Sequence, residues 1–271
     1  MSSTKIIEAN IEVHSRMAAT YDADEPHFRP ENREKVRGVL EQVRARAPGG
    51  KLLDMGCGTG FLIALAKGLF DEIHGVDVTQ AMLDRVDTSG NVTLHRGACE
   101  RVPFADGSFD VVTAYAFLHH TEDYAAILRE AGRVLRPGGL CYVDLEPNKK
   151  FWQAMEALPA AGLPPYVAKA RASVLETDAA VEKAFAIPQE TFRLAEYSKA
   201  VLGGIDVREL ESRAKELGFS SCEVRLEWFL GQGDVMHGKS FQIAADVEQY
   251  LRDIAPVSDH LFKYFRAILT K

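Results

Sequence analysis

K-L-L-D-M-G-C-G-T-G-F, Lys51 to Phe61, is a short apolar run that closes on Asp54. Three glycines at alternate positions (Gly56, Gly58 and Gly60) follow, then an apolar segment that continues to Leu69. The order reads as strand, tight turn, helix. Glycine has no Cβ, so a turn built from it lets the backbone come close to a ligand, and the arrangement suits an adenosine-type cofactor.

Outward from this turn the chain alternates. Strand-like runs fall at 51–55, 72–78, 92–95, 109–115 and 139–146, and helix-like segments at 60–70, 80–86 and 122–135. Such alternation implies right-handed crossovers and an α/β, doubly wound, mostly parallel sheet covered on both faces. In open sheets of this type ligands sit beyond the carboxyl ends of the strands. Those ends carry Asp54, Asp77, Ala114, Tyr115 and Glu146, and all are expected at one crevice.

Four segments follow from the same reading. Residues 1–50 form a helical N-terminal lid with apolar faces at Ile6, Ile7, Ile11 and Val13 and at Val36, Val39, Leu40 and Val43, closed by Pro48-Gly49-Gly50. Residues 51–146 are the cofactor-binding core. Residues 147–204 hold helix-like runs at 151–158, 166–175 and 177–185 between prolines, with Trp152, Tyr166 and Phe192 among their aromatics. That is too long for a plain connection, and predicts a helical insertion over the acceptor site. In 205–271, Asp206 caps a helix over 207–217, runs at 220–230 and 264–270 make an antiparallel hairpin, and a small helical insert covers 244–254.

Composition narrows the classes. With 46% hydrophobic and 26% charged residues the chain is of ordinary globular type. Its 39 acidic and 32 basic residues give a net charge of −7, which disfavours nucleic acid as a partner. The cysteines, Cys57, Cys99, Cys141 and Cys222, form no CxxC pair, so free thiols are expected, not a zinc site. No run reaches the roughly 18 apolar residues of a membrane span and no apolar signal core opens the chain, so a cytoplasmic location is expected.

Two details decide what the glycine turn holds. The dinucleotide fingerprint G-x-G-x-x-G needs a third glycine at position 61, which is Phe61. Asp54 would also set a carboxylate near a pyrophosphate, and like charges there are unfavourable. A cofactor with an ammonium, a sulfonium and no phosphate is attracted instead, and S-adenosyl-L-methionine has that distribution. Asp77, at a strand end 17 positions after Gly60, is placed to accept both ribose hydroxyl hydrogens.

With these residues in hand, 51–146 resembles the core of the class I S-adenosylmethionine-dependent methyltransferases, over about a third of the chain. The carrying stretches are L-L-D-M-G-C-G-T-G, V-D-V-T-Q-A-M-L, G-A-C-E-R-V-P-F-A-D-G-S-F-D-V-V, A-F-L-H-H and R-V-L-R-P-G-G-L. The late hairpin is similar to the pair that closes a seven-stranded sheet in that family. The resemblance implies that Gly56, Cys57 and Gly58 line the methionine and ribose part, with Asp54 near the amino group. It implies that Val78 and Met82 flank the adenine, that Ala98 and Cys99 read it, and that Ala114 offers its carbonyl. Many members carry Asp where this chain has Ala98, so that side-chain contact is missing. Tyr21 lies in a Y-D segment similar to one on the family's N-terminal lids, where it would touch the cofactor or substrate.

Methyl transfer needs a base only when the acceptor must lose a proton. His119 and His120, after the fourth strand, and Glu146, after the fifth, are the catalytic candidates; His27 and His237 are less defined. No third ligand accompanies the histidine pair in the sequence, so no metal site is expected. The expected function is transfer of a methyl group to an O, N or C atom of a small-molecule acceptor, by a chain compatible with a homodimer. Two rivals are a binding protein that holds the cofactor without transfer and a nicotinamide-type oxidoreductase, the latter opposed by Phe61 and Asp54.

Overall fold

Seven strands form one sheet in the order β3-β2-β1-β4-β5-β7-β6: β1 Lys51–Met55, β2 Glu72–Asp77, β3 Val92–Arg96, β4 Phe109–Tyr115, β5 Leu135–Pro147, β6 Ser221–Phe229 and β7 Phe262–Thr270. The computed structural model describes residues 3–159 and 161–271. β1 to β5 are mutually parallel, and β7 enters antiparallel between β5 and β6. The strand order reverses at β1, with β2 on one side and β4 on the other, and that is where a ligand crevice opens in such sheets.

The central strands are buried and mostly apolar because both faces are covered. Leu53, Met55, Val112, Ala114 and Val143 pack on one face with the helix Tyr124–Val134 and Leu210. On the other face Leu52, Ile73, Val111 and Tyr142 meet Val36, Val39, Leu40 and Val43 of the helix Pro30–Arg46, the apolar stripe expected from sequence. The first helix, Ser3–Met17, turns Ala9, Val13 and Met17 onto Ile187, Phe192 and Ala195, so the N-terminal section is tied to the 147–204 insertion. Ile6 is buried as expected, whereas Ile7 and Ile11 are only half-buried.

The insertion holds helices Lys149–Ala157, Pro165–Leu175, Thr177–Phe185, Gln189–Ala195 and Tyr197–Ala200. Asp206 caps Val207–Glu216 as expected, accepting from the backbone N–H groups of Arg208 and Glu209. Between β6 and β7 there are two helices, Gln232–Gly238 and Phe241–Asp253, where one was expected. No helix among the described residues is long and apolar enough to cross a membrane.

The antiparallel edge is fastened by a buried charge cluster. Glu227 on β6, 1% exposed, accepts from Lys35 and, at 2.6 Å, from Arg266, whose Nε donates to Asp144 at 3.1 Å. Removing one member of such a cluster leaves its partners desolvated and unpaired. Glu227→Gln should therefore lower unfolding free energy by about 3 kcal/mol, read as an earlier urea midpoint with an unchanged slope.

Candidate functional site

The penultimate residue of β1 is Asp54, whose carboxylate is buried and whose Oδ1 accepts from the Thr113 hydroxyl at 2.6 Å. Burial pushes this carboxyl up to about 7, against the Thr113 hydrogen bond and with the nearby Asp77 adding to the rise. The chain then turns through Gly56, at φ +69°, where a Cβ would lie 2.1 Å from Cδ2 of the Phe117 ring. Only glycine lets the loop after β4 lie this close. Gly58, at φ +51°, would direct a Cβ into open space on the cavity wall, which keeps the backbone accessible to a ligand. Phe61, where the dinucleotide fingerprint has glycine, is buried against His27 and Tyr115, with ring centroids 4.9 Å away in each case.

Asp77 ends β2 and fixes the turn from across the crevice. Its Oδ2 accepts from the Gly58 N–H at 3.0 Å and its Oδ1 from the Thr79 N–H at 2.8 Å. Each oxygen keeps a lone-pair direction for a ligand hydroxyl. Val78, Met82, Cys57 and Cys99 lie on the same wall, as does Tyr21 from the N-terminal section. Tyr21 is held above the ordinary phenol range by burial and then by the nearby carboxylates of Glu25, Glu196 and Asp77. The Thr59 hydroxyl donates to Asp22 at 2.6 Å, fastening the N-terminal section to the glycine turn.

Three expected residues sit elsewhere. Ala114 is buried in the sheet opposite Val143 of β5, and the cavity wall is formed instead by the residues after it, from Tyr115 on. Ala98 is half-buried off the wall, which its neighbours Cys99 and Glu100 occupy. Glu146 is not on this wall. It is fully buried, and its carboxylate accepts from the backbone N–H groups of Phe117, Leu118 and His119 at 2.8, 2.8 and 3.0 Å, and from the His119 ring at 2.9 Å. A carboxylate with its lone pairs spent in this way shapes the loop; it does not reach an acceptor.

The histidines are held apart in role. His119 is buried with Nδ1 on Glu146, and His120 places Nδ1 2.8 Å from the Ala195 carbonyl of the insertion. Burial, then the neighbouring His119, lowers the pKa of His120 well below the ordinary imidazole value. His120 borders the cofactor cavity and a second, polar cavity walled by Glu25, Glu196 and Lys199. A third cavity, of about 380 Å³, lies between the insertion and the end of β6, walled by Phe151, Trp228, Phe229 and Tyr264, with His237 at its margin. His27 borders all three. Burial lowers its pKa to about 4, so it is neutral at pH 7.

Sequence reading missed Glu25, Glu196, Lys199 and Trp228; Glu196 meets His119 and His120, and Trp228 meets Lys35, only through long-range packing. One signal follows from the backbone. Ala116, Leu145 and Trp228 have φ of +50°, +59° and +62°, uncommon for residues with a Cβ, and all three lie on cavity walls.

The first cavity fits S-adenosylmethionine by the sign of its charge. Asp54, Asp77, Glu100 and Glu122 line it, and among the described residues no lysine or arginine does. A ligand bearing an ammonium and a sulfonium meets opposite charge there, whereas a pyrophosphate would not.

The comparisons with known proteins point to the same fold. Residues 53–143 match the family model described as a methyltransferase domain. The surrounding sheet has the fold of the class I S-adenosylmethionine-dependent methyltransferases. A demethylmenaquinone methyltransferase of Staphylococcus aureus is 37% identical over 129 residues, covering 44% of this chain and 53% of the relative. The chain thus spans about half the length of the curated relatives it matches. A Thermotoga maritima structure described as an S-adenosylmethionine-dependent methyltransferase, possibly acting on histamine nitrogen, superposes with TM-score 0.56 at 16% identity, over 97% of this chain and 99% of that one. A Haemonchus contortus phosphoethanolamine N-methyltransferase with S-adenosylmethionine bound gives 0.58 at 18% identity, over 94% and 56%. At these identities the structures speak for the fold.

Two predictions follow from the carboxylates. Asp77→Ala should weaken S-adenosylhomocysteine binding by about 2 kcal/mol, roughly thirtyfold, in a calorimetric titration; unchanged affinity would remove Asp77 from the site. Asp54, held near 7, is protonated below neutrality and must ionise to meet the ligand ammonium. Affinity for S-adenosylhomocysteine should therefore rise from pH 6 to pH 8 with proton release, and Asp54→Asn should flatten that rise. For the free protein the sign is opposite. A folded pKa above the unfolded 3.8 means that the fold holds the extra proton, so this group's contribution to stability declines as pH rises from 3.8 to about 7.

Proposed function

We propose that the chain transfers the methyl group of S-adenosylmethionine to a small organic acceptor whose flat, apolar body lies in the aromatic-walled cavity. The observation that carries the reading is a shared wall. His27 and Tyr115 border both the cofactor cavity and the 380 Å³ cavity, so an acceptor lodged in the second can present one atom to the first. S-adenosylmethionine, when bound, supplies a methyl group on a sulfonium sulfur, open to in-line attack by an electron-rich O, N or C atom.

What is left to the protein is alignment and exclusion of water. Phe151 and Phe229, both buried, and the Trp228 and Tyr264 rings offer apolar surface to a ring system. The neutral imidazole of His27 can accept a hydrogen bond from an acceptor O–H or N–H at the junction. Glu25 Oε2, 3.7 Å from His27 Nδ1, is close enough to settle the ring's orientation once the site tightens around a ligand. Residues 1–50 act as a lid over the cofactor and 147–204 as the cover of the acceptor, a division favoured by the way Ser3–Met17 packs on Gln189–Ala195. The name of the Staphylococcus aureus relative points the same way, towards a quinone-type ring as acceptor.

The test is incubation with methyl-labelled S-adenosylmethionine and a panel of phenols, hydroxynaphthoquinones and aryl amines, followed by mass spectrometry for methylated product. Cofactor binding without transfer to any aromatic acceptor would sink the reading. Once an acceptor is found, Trp228→Ala should raise its KM about tenfold through lost apolar contact, with S-adenosylhomocysteine affinity unchanged.

A further inference from the structure

The loop after β4 sets His119 and His120 side by side, and the insertion brings Glu196 to them. One nitrogen of each imidazole and one oxygen of Glu196 lie within 4.8 Å of one another. Hydrogen bonds fix the tautomers of both rings. Carboxylates and carbonyls only accept, so Nδ1 of His119, on Glu146, and Nδ1 of His120, on the Ala195 carbonyl, each carry the proton. That leaves Nε2 of each ring for a further partner. Nε2 of His119 faces Glu196 Oε2 at 3.9 Å, and Nδ1 of His120 lies 3.7 Å from Glu196 Oε1. Both gaps are too long for a hydrogen bond. A divalent ion at about 2.0–2.2 Å from each ligand atom would bridge the first.

We propose that His119, His120 and Glu196 form a divalent-metal site of the two-histidine, one-carboxylate type, with Glu146 as the outer carboxylate that orients His119, and that its ion holds an oxygen of the methyl acceptor. The last clause rests on the transferase reading; the metal site does not. Imidazole and carboxylate donors suit Zn²⁺, Mn²⁺ or Fe²⁺, and three protein ligands leave a position open for a further ligand. The site adjoins the cofactor cavity, because His120, Tyr21 and Ala116 border that cavity and the polar one alike.

Lys199 is the competitor. Its ammonium donates to Glu196 Oε2 in the metal-free chain. Glu25, on the wall of the same cavity, gives it a second carboxylate to move to. Metal and ammonium therefore exclude one another at Glu196. This distinguishes the site from a plain ion pair, since removal of Lys199 should strengthen metal binding.

The test uses the full-length, chelator-treated protein titrated with Co²⁺ and Zn²⁺, followed by ligand-field absorption and equilibrium dialysis. One ion per chain is expected, lost in Glu196→Gln and His119→Ala, weakened about tenfold to a hundredfold in Glu146→Gln, and tightened in Lys199→Met. Circular dichroism of each variant separates loss of fold from loss of ligands; should His119→Ala unfold, the near-isosteric Glu196→Gln decides. Absence of stoichiometric uptake by the wild type, uptake unchanged in Glu196→Gln, or weaker uptake in Lys199→Met overturns the site. S-adenosylhomocysteine binding, measured on the same samples, reports separately on the cofactor cavity. Its failure would count against the transferase reading and leave the metal result standing.

Discussion

Glu146 is a carboxylate with no exposure to water, and the crevice is arranged around it. An isolated charge in that position would be prohibitive, so the loop after β4 must bring donors to it, and four N–H groups from residues 117–119 do so. Satisfying Glu146 fixes the loop's path. The same path presses the Phe117 ring against Gly56, which explains why the first glycine cannot carry a side chain. It also sets His119 between Glu146 and Glu196 and brings His120 to the Ala195 carbonyl of the helical insertion. Cofactor turn, histidine pair and cover are thus coupled through one buried anion at the end of β5.

Charge is distributed unevenly around that anchor. The first cavity is walled by carboxylates alone among its charged groups, the polar cavity by carboxylates, histidines and Lys199, and the third by aromatic rings together with charges of both signs, Arg29, Glu31, Lys169 and Asp234 among them. Although burial opposes it, Lys199 and then the two histidines hold the Glu196 carboxyl below its ordinary range. The field therefore favours a cation on one side of His27 and is of mixed sign on the other. A neutral, buried imidazole suits that boundary, because it offers a hydrogen bond without adding charge to either side.

The fold was legible in the sequence to the extent that it depends on local periodicity. β1 and β4 lie where the apolar runs end, and Asp206 caps its helix because its side chain bonds the next two backbone donors in reach. That Asp54, Gly56, Gly58 and Asp77 share one cavity wall was legible too, since they are set by one βα turn and the strand beside it. Legibility stopped where position depends on long-range packing. Glu146 looked like a strand-end carboxylate facing the crevice, yet its side chain turns inward because the loop opposite carries unpaired N–H groups. Glu196, unremarkable in its own stretch, becomes a neighbour of His119 only because the insertion folds back over the loop. A third ligand for the histidine pair could not have been read from spacing.

The strained residues extend the same point. Ala116 follows β4, Leu145 sits near the end of β5 and Trp228 near the end of β6, so each lies where a strand meets a cavity. A left-handed backbone at a residue with a Cβ is unfavourable by about 1–3 kcal/mol and persists only where the surroundings over-determine it. At Leu145 those surroundings include the short bond from its own N–H to Asp144 Oδ1 at 2.7 Å, and at Trp228 the bond from its N–H to Glu248 at 3.2 Å. Buried carboxylates thus recur as the device that holds an unfavourable turn. The walls built on β1 and β2 use glycine to reach their conformations without strain. The walls built on β4 to β6 use strained residues with side chains, because there the side chain is what the cavity wall requires.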